Sequence, residues 1–101
     1  MQMLLIICRE SFQQKIVELL EDNGVEEYTV IEKVRGAGKT GVVPLASDWA
    51  GLNSLVLVGA PSQEAQSIVT MLKAFSSHHA GGEDGLGIPL KVLTWPCDMV
   101  L

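Results

Sequence analysis

Ser54-Leu55-Val56-Leu57-Val58-Gly59, followed by Pro61-Ser62 and a helical stretch, decides the fold, because it repeats an order the chain has already shown once. The run is short, apolar and β-branched, with no 3.6-residue period, which suits a buried strand. Pro61 and Ser62 set a proline and a hydroxyl cap ahead of a helix predicted over 63–76, with Ala65, Ile68, Val69, Leu72 and Phe75 along one face. Upstream, Met3-Leu4-Leu5-Ile6-Ile7-Cys8 is an apolar run of the same kind. Ser11-Phe12-Gln13-Gln14 then offers a capping box, in which the Ser11 hydroxyl and the Gln14 side chain each satisfy a backbone N–H. It opens a helix over 12–23 with Phe12, Ile16, Leu19 and Leu20 on one face, and Gly24 follows as a left-handed stop.

The remaining two strands complete the pattern. Tyr28-Thr29-Val30-Ile31-Glu32-Lys33-Val34 is β-branched and free of breakers, and Ile88 to Thr94 closes the chain's second half. Two βαβ units in about 100 residues suit an α+β, ferredoxin-like βαββαβ fold: a four-stranded antiparallel sheet with both helices on one face. The expected organisation is one domain over 1–101, with a long loop over 35–53. A sheet covered on one face should alternate apolar and polar residues along its strands. Strands one and three do not alternate, so the second face must also be buried. Other copies of the chain could cover it, or the last residues, Trp95 to Leu101, could fold back over it.

Composition narrows the function classes. The 48% hydrophobic content is enough for a core without disulfide staples or a structural metal. A net charge of -5 provides no general field for nucleic acid or an anionic membrane. The apolar opening, Met1 to Cys8, is too short to span a bilayer and lacks the marks of a signal peptide, so the expected compartment is the cytoplasm.

Arg35 to Asn53 holds four glycines and one proline, and about nineteen residues without periodicity in a compact domain point to a functional loop. A second glycine-rich loop, His78 to Gly87, precedes the last strand. Gly36-Ala37-Gly38-Lys39-Thr40 has the look of a phosphate-binding loop but lacks its first glycine, Lys33 standing there, and Gly41 and Pro44 follow where a helix is required. His78 and His79 could hold a metal, yet neighbouring positions seldom point the same way, and a polar helix end is the plainer reading. Cys8 and Cys97 read as small buried or half-buried residues, since no basic neighbour lowers either thiol's pKa. Trp49, in the middle of the long loop, is either pinned to the body or used with Val42 and Val43 to grip a partner. No serine–histidine–acid set and no carboxylate pair stands at a catalytic spacing, so the chain reads as a non-enzyme.

One stretch carries a family resemblance. Gly24-Val25-Glu26-Glu27-Tyr28-Thr29-Val30-Ile31-Glu32-Lys33-Val34-Arg35-Gly36-Ala37-Gly38 resembles the glycine, Thr-Val strand and G-x-G exit into a long loop found in the PII signalling proteins and their PII-like relatives. The resemblance covers most of the chain. It implies a homotrimer whose second sheet faces meet, ligand clefts between neighbouring subunits that take adenine nucleotides, and a loop that regulates an enzyme or transporter. Carried over by position, Thr29 would lie near the base, and Gly36, Ala37, Gly38 and Lys39 would approach phosphates. Gly85 and Gly87 would belong to the second phosphate loop, with Lys91 just beyond it. Typical members carry basic residues in that loop and arginines after the last strand. Here Glu83 and Asp84 stand in the loop and no arginine follows Arg35, which makes the chain a divergent member. A ligand-free interaction module of the same fold, or a metal-binding trimer similar to the CutA family, is the alternative.

Overall fold

The structure, a computed structural model, describes residues 1–35, 52–79 and 90–101. Strand β1 (Gln2–Arg9) leads through a 3-10 turn (Glu10–Phe12) into helix α1 (Gln13–Asp22), and β2 (Thr29–Arg35) follows. The second half is β3 (Leu52–Ala60), α2 (Ser62–His79) and β4 (Leu90–Pro96). All neighbouring strands are antiparallel in the order β2-β3-β1-β4, so the expected ferredoxin-like α+β arrangement forms, with β2 and β4 at the edges. No described helix is long and apolar enough to cross a membrane.

Strand parity divides the sheet into two faces. Leu4, Ile6 and Cys8 of β1 and Ser54, Val56, Val58 and Ala60 of β3 are buried on the helix side, where they meet Ile16 and Leu20 of α1 and Ala65, Ile68, Leu72 and Phe75 of α2. These spacings are the helical faces read from the sequence. Full burial of an aliphatic side chain contributes roughly 1.5–3 kcal/mol, so this layer carries the fold. Its one buried polar side chain among the described residues is Ser54, whose hydroxyl donates to Gln13 Oε1 and ties the start of α1 to the start of β3.

Helix α1 ends as its glycine requires. Gly24 has φ +85, and its N–H donates to the Glu21 carbonyl at 3.0 Å. A Cβ there would meet nothing within 4 Å, so Gly24→Ala carries the left-handed backbone penalty alone. The expected loss is about 1–2 kcal/mol, read as a lower urea midpoint with an unchanged m-value. Among the described residues the other left-handed one is Lys33, at φ 56, inside a bulge between Ile31 and Val34 of β2.

Several boundaries differ from the sequence reading. The capping box does not form: Ser11 sits in the 3-10 turn, Phe12 is the N-cap without a side-chain bond, and Gln14 donates to Glu18 Oε1 at 3.3 Å. The chain must turn sharply out of β1, and that turn consumes the residues the box would have used. Leu52 and Asn53, placed in the long loop by sequence, pair with Arg35 and Val34 in the sheet. His78 and His79, placed in the second loop, are the last residues of α2. Strand β4 runs on through Trp95 and Pro96 because Met3 and Gln2 lie opposite them. That disposes of the tail as a cover for the second face: Met99, Val100 and Leu101 are 70, 89 and 111% exposed.

Candidate functional site

The face away from the helices is the chemically informative surface. One row across it reads Thr29, Leu57, Leu5, Leu93, and the next reads Ile31, Leu55, Ile7, Lys91. Met3 lies between Gly59 and Trp95 in a third. Apart from Thr29 and Lys91 at the two rims, these rows are apolar. Ile31, Leu93 and Trp95 are 45, 46 and 42% exposed, large values for apolar side chains that no described part of the chain covers. Contiguous exposed apolar surface of this kind marks an interaction face.

Of the residues that the sequence suggests for a ligand, the structure places two. Thr29 is the first residue of β2 and Lys91 the second of β4; both are exposed, and both lie on the open face. They stand on opposite edge strands with β3 and β1 between them. Three strand spacings of about 4.8 Å and an offset of two residues put them roughly 16 Å apart. A single chain therefore does not gather them around one small anion. Gly36, Ala37, Gly38, Lys39, Gly85 and Gly87, and the partner-contact residues Val42, Val43 and Trp49, lie outside the described residues.

Two concavities among the described residues hold none of the residues that the sequence suggests for a ligand. A shallow one of about 440 Å³ lies along α2 at Gln63, Gln66, Ser67 and Thr70. The other, about 610 Å³, lies where β3 ends, between Glu26, Glu27, Pro61, Glu64 and Met99. No group of three His, Cys, Asp or Glu side chains placed to hold a metal occurs among the described residues, and the side chains of His78 and His79 lie outside them. Cys8 is buried, and desolvation pushes its thiol up to about 11, which keeps it protonated and unreactive near neutral pH. Cys97, half-buried, follows β4 at the opposite end of the sheet, where its N–H donates to the Met1 carbonyl at 3.0 Å. The two thiols are too far apart for a disulfide within one chain.

What sequence reasoning missed is the placement of charge. Arg9 and Asn53 are cross-strand partners, Arg35 pairs with Leu52, and Lys91 pairs with Ile7, so these cations share one end of the sheet. The signal was present in the alternation of strand direction, because every one of them sits at the end of a strand that begins or finishes on that side.

Comparison with known proteins follows the same architecture. A family model described as nitrogen regulatory protein P-II matches residues 1–87. No curated protein matches. Among solved structures, a PII-like signaling protein from Thermus thermophilus superposes with a TM-score of 0.66 at 18% identity, over 93% of this chain and 82% of that one. CPII from Thiomonas intermedia, a nitrogen regulatory PII-like protein bound to ADP, AMP and bicarbonate, gives 0.63 at 18% identity, over 93% and 84%. Its apo form gives 0.61 at 17%, over 93% and 87%.

Proposed function

Because this chain belongs to the nitrogen regulatory protein P-II family, we propose that it is a PII-like regulator that assembles as a homotrimer, binds a small anionic metabolite or an adenine nucleotide between copies, and signals to a partner enzyme or transporter through residues 36–51. The observation that carries the reading is the separation of Thr29 and Lys91 on opposite rims of one apolar face that no other described element covers. When copies pack through that face, the β2 rim of one and the β4 rim of the next are brought side by side, and the two residues complete one site. The structural relative bound to ADP, AMP and bicarbonate makes those three the first ligands to try.

Chemistry near the rims argues for modest ligand charge. Lys33 and Arg35 on β2 are offset by Glu32, and β4 contributes Lys91 alone. The reading contains no catalytic step: the site holds an anion, and the regulated property is the conformation of the segment that follows Arg35. A segment that orders on binding is a recognised switch element.

A complementation experiment tests the site. A ligand that prefers the native state stabilises it by RT ln(1 + [L]/Kd), about 2.7 kcal/mol at a hundredfold excess over Kd. Thermal shift with ADP, AMP or bicarbonate is expected for the native chain and is expected to vanish in Thr29→Phe and in Lys91→Ala. If the two residues come from different copies, a co-refolded mixture of the two variants regains one intact site in every mixed trimer, and part of the shift returns. A mixture as silent as either variant alone overturns the composite site.

A further inference from the structure

Met1, Met3 and Met99, three of the chain's four methionines, end at one place. Met1 and Met3 are two residues apart and share a side of the extended chain. A Cβ on Gly59 would lie 3.0 Å from the Met1 methyl carbon and 3.7 Å from that of Met3, so both thioethers reach over the one position of β3 that has no side chain. Met99 arrives from the other end of the chain. The Cys97 N–H donates to the Met1 carbonyl at 3.0 Å, which continues the β1–β4 pairing by one step. Beyond it the tail crosses the start of β1, so that Met99, Met1 and Gly59 line the same concavity of about 610 Å³. Residues 36–51 and 80–89 join the sheet at its opposite end, where Arg9 pairs with Asn53 and Cys8 with Leu90.

Packing does not account for the cluster. A methionine that fills a gap in a core is enclosed, whereas Met1 is 38% and Met99 70% exposed. A thioether is a neutral, soft donor with no proton to lose, and it prefers a soft cation. Zinc and iron–sulfur sites draw on thiolate, imidazole or carboxylate ligands, and no group of three His, Cys, Asp or Glu side chains placed to hold a metal occurs among the described residues. Cu(I) needs no such set. Neutral ligands leave the charge of the ion unbalanced. Glu26, Glu27 and Glu64 stand on the wall of the same concavity and no described lysine or arginine lines it, so the local potential favours a cation.

We propose that the thioethers of Met1, Met3 and Met99 form a binding site for Cu(I), with Glu26, Glu27 and Glu64 attracting the ion without ligating it. The site is independent of the ligand reading above. It needs one chain only, and its concavity opens between the α1–β2 connection and the first turn of α2, beside the face proposed to pack between copies and not within it.

The test titrates the full-length protein with Cu(I) under reducing, oxygen-free conditions against a chromogenic Cu(I) chelator, with Zn(II) as the contrast. The native chain is expected to withdraw one Cu(I) per chain and no zinc. Met3→Leu/Met99→Leu keeps the volume of both side chains, so circular dichroism should stay native. Its affinity is expected to fall at least roughly tenfold, since altering even an outer partner of a metal ligand costs that much. Met99→Leu alone changes an exposed side chain, and it is expected to weaken binding in the same direction. Cys97→Ser, across Met1 from Gly59, is expected to bind as the native chain does. Because no ligand loses a proton, the affinity should hold steady between about pH 5.5 and 7.5, where imidazole and thiolate sites weaken on acidification. X-ray absorption at the copper edge should show sulfur neighbours only. Cu(I) held equally well by Met3→Leu/Met99→Leu, a nitrogen or oxygen shell around the copper, or binding lost in Cys97→Ser and kept in the methionine variants overturns the inference.

Discussion

Leu5→Glu is expected to convert the proposed trimer of 10.9 kDa chains into a folded monomer. Leu5 sits at the middle of the open face, between Leu57 on one side and Leu93 on the other. Assembly through that face would bury one uncompensated carboxylate per copy, and an unpaired buried charge costs about 3–5 kcal/mol. Three such charges around one interface raise the dissociation constant by many orders of magnitude, whatever area the interface gains elsewhere. In the separate chain the new carboxylate points to water, so far-ultraviolet circular dichroism should keep its native form. Sedimentation equilibrium reads the mass directly. A variant that sediments as a trimer would show that copies do not meet through this face, and the composite ligand site would be lost with it.

Ile6→Ala, one residue further along the same strand, has the opposite expected result. Ile6 is wholly buried between β3 and β4 on the helix side, where it packs in the cluster that includes Ile16, Leu20, Ile68 and Leu72. Removing its branched side chain leaves a cavity that the two helices cannot fill without moving the sheet. The cost is about 2–5 kcal/mol, which for a domain of this size lowers the melting temperature by some 10–30 °C. Denaturant titration at two protein concentrations separates the two contributions, because a loss in the core is independent of concentration and a loss of assembly is not. A change below about 1 kcal/mol would mean that the helix layer is not packed on Ile6 as described.

The contrast between these neighbours marks the boundary of what local pattern carries. The unbroken apolar run from Met3 to Cys8 signals two buried faces without saying which residue belongs to which. Helix faces were legible because a 3.6-residue repeat is local, and Ile16 with Leu20, and Ile68 with Leu72, are buried as their spacing requires. Gly24 was legible for the same reason: a left-handed stop is a property of one residue and its helix. The N-terminus of α1 was not, since the exit from β1 dictates it. The Lys33 bulge left no mark, because lysine has no preference for the conformation that the β2–β3 pairing imposes.

The candidate site divides along the same line. Thr29 and Lys91 were selected through the family resemblance, which assigned them to one ligand. Their positions on opposite rims, on which the proposed two-copy site rests, come from the strand order β2-β3-β1-β4.

By itself, the sequence determined the order and type of the elements, the helical faces of the core and the excess of apolar strand surface, all consequences of periodicity within a few residues. Only the tertiary structure decided which strands are neighbours, which side of Leu5 and Ile6 faces the helices, and where Arg9, Arg35 and Lys91 meet. Those are long-range pairings, set by the packing of distant segments, and no local pattern in the chain encodes them.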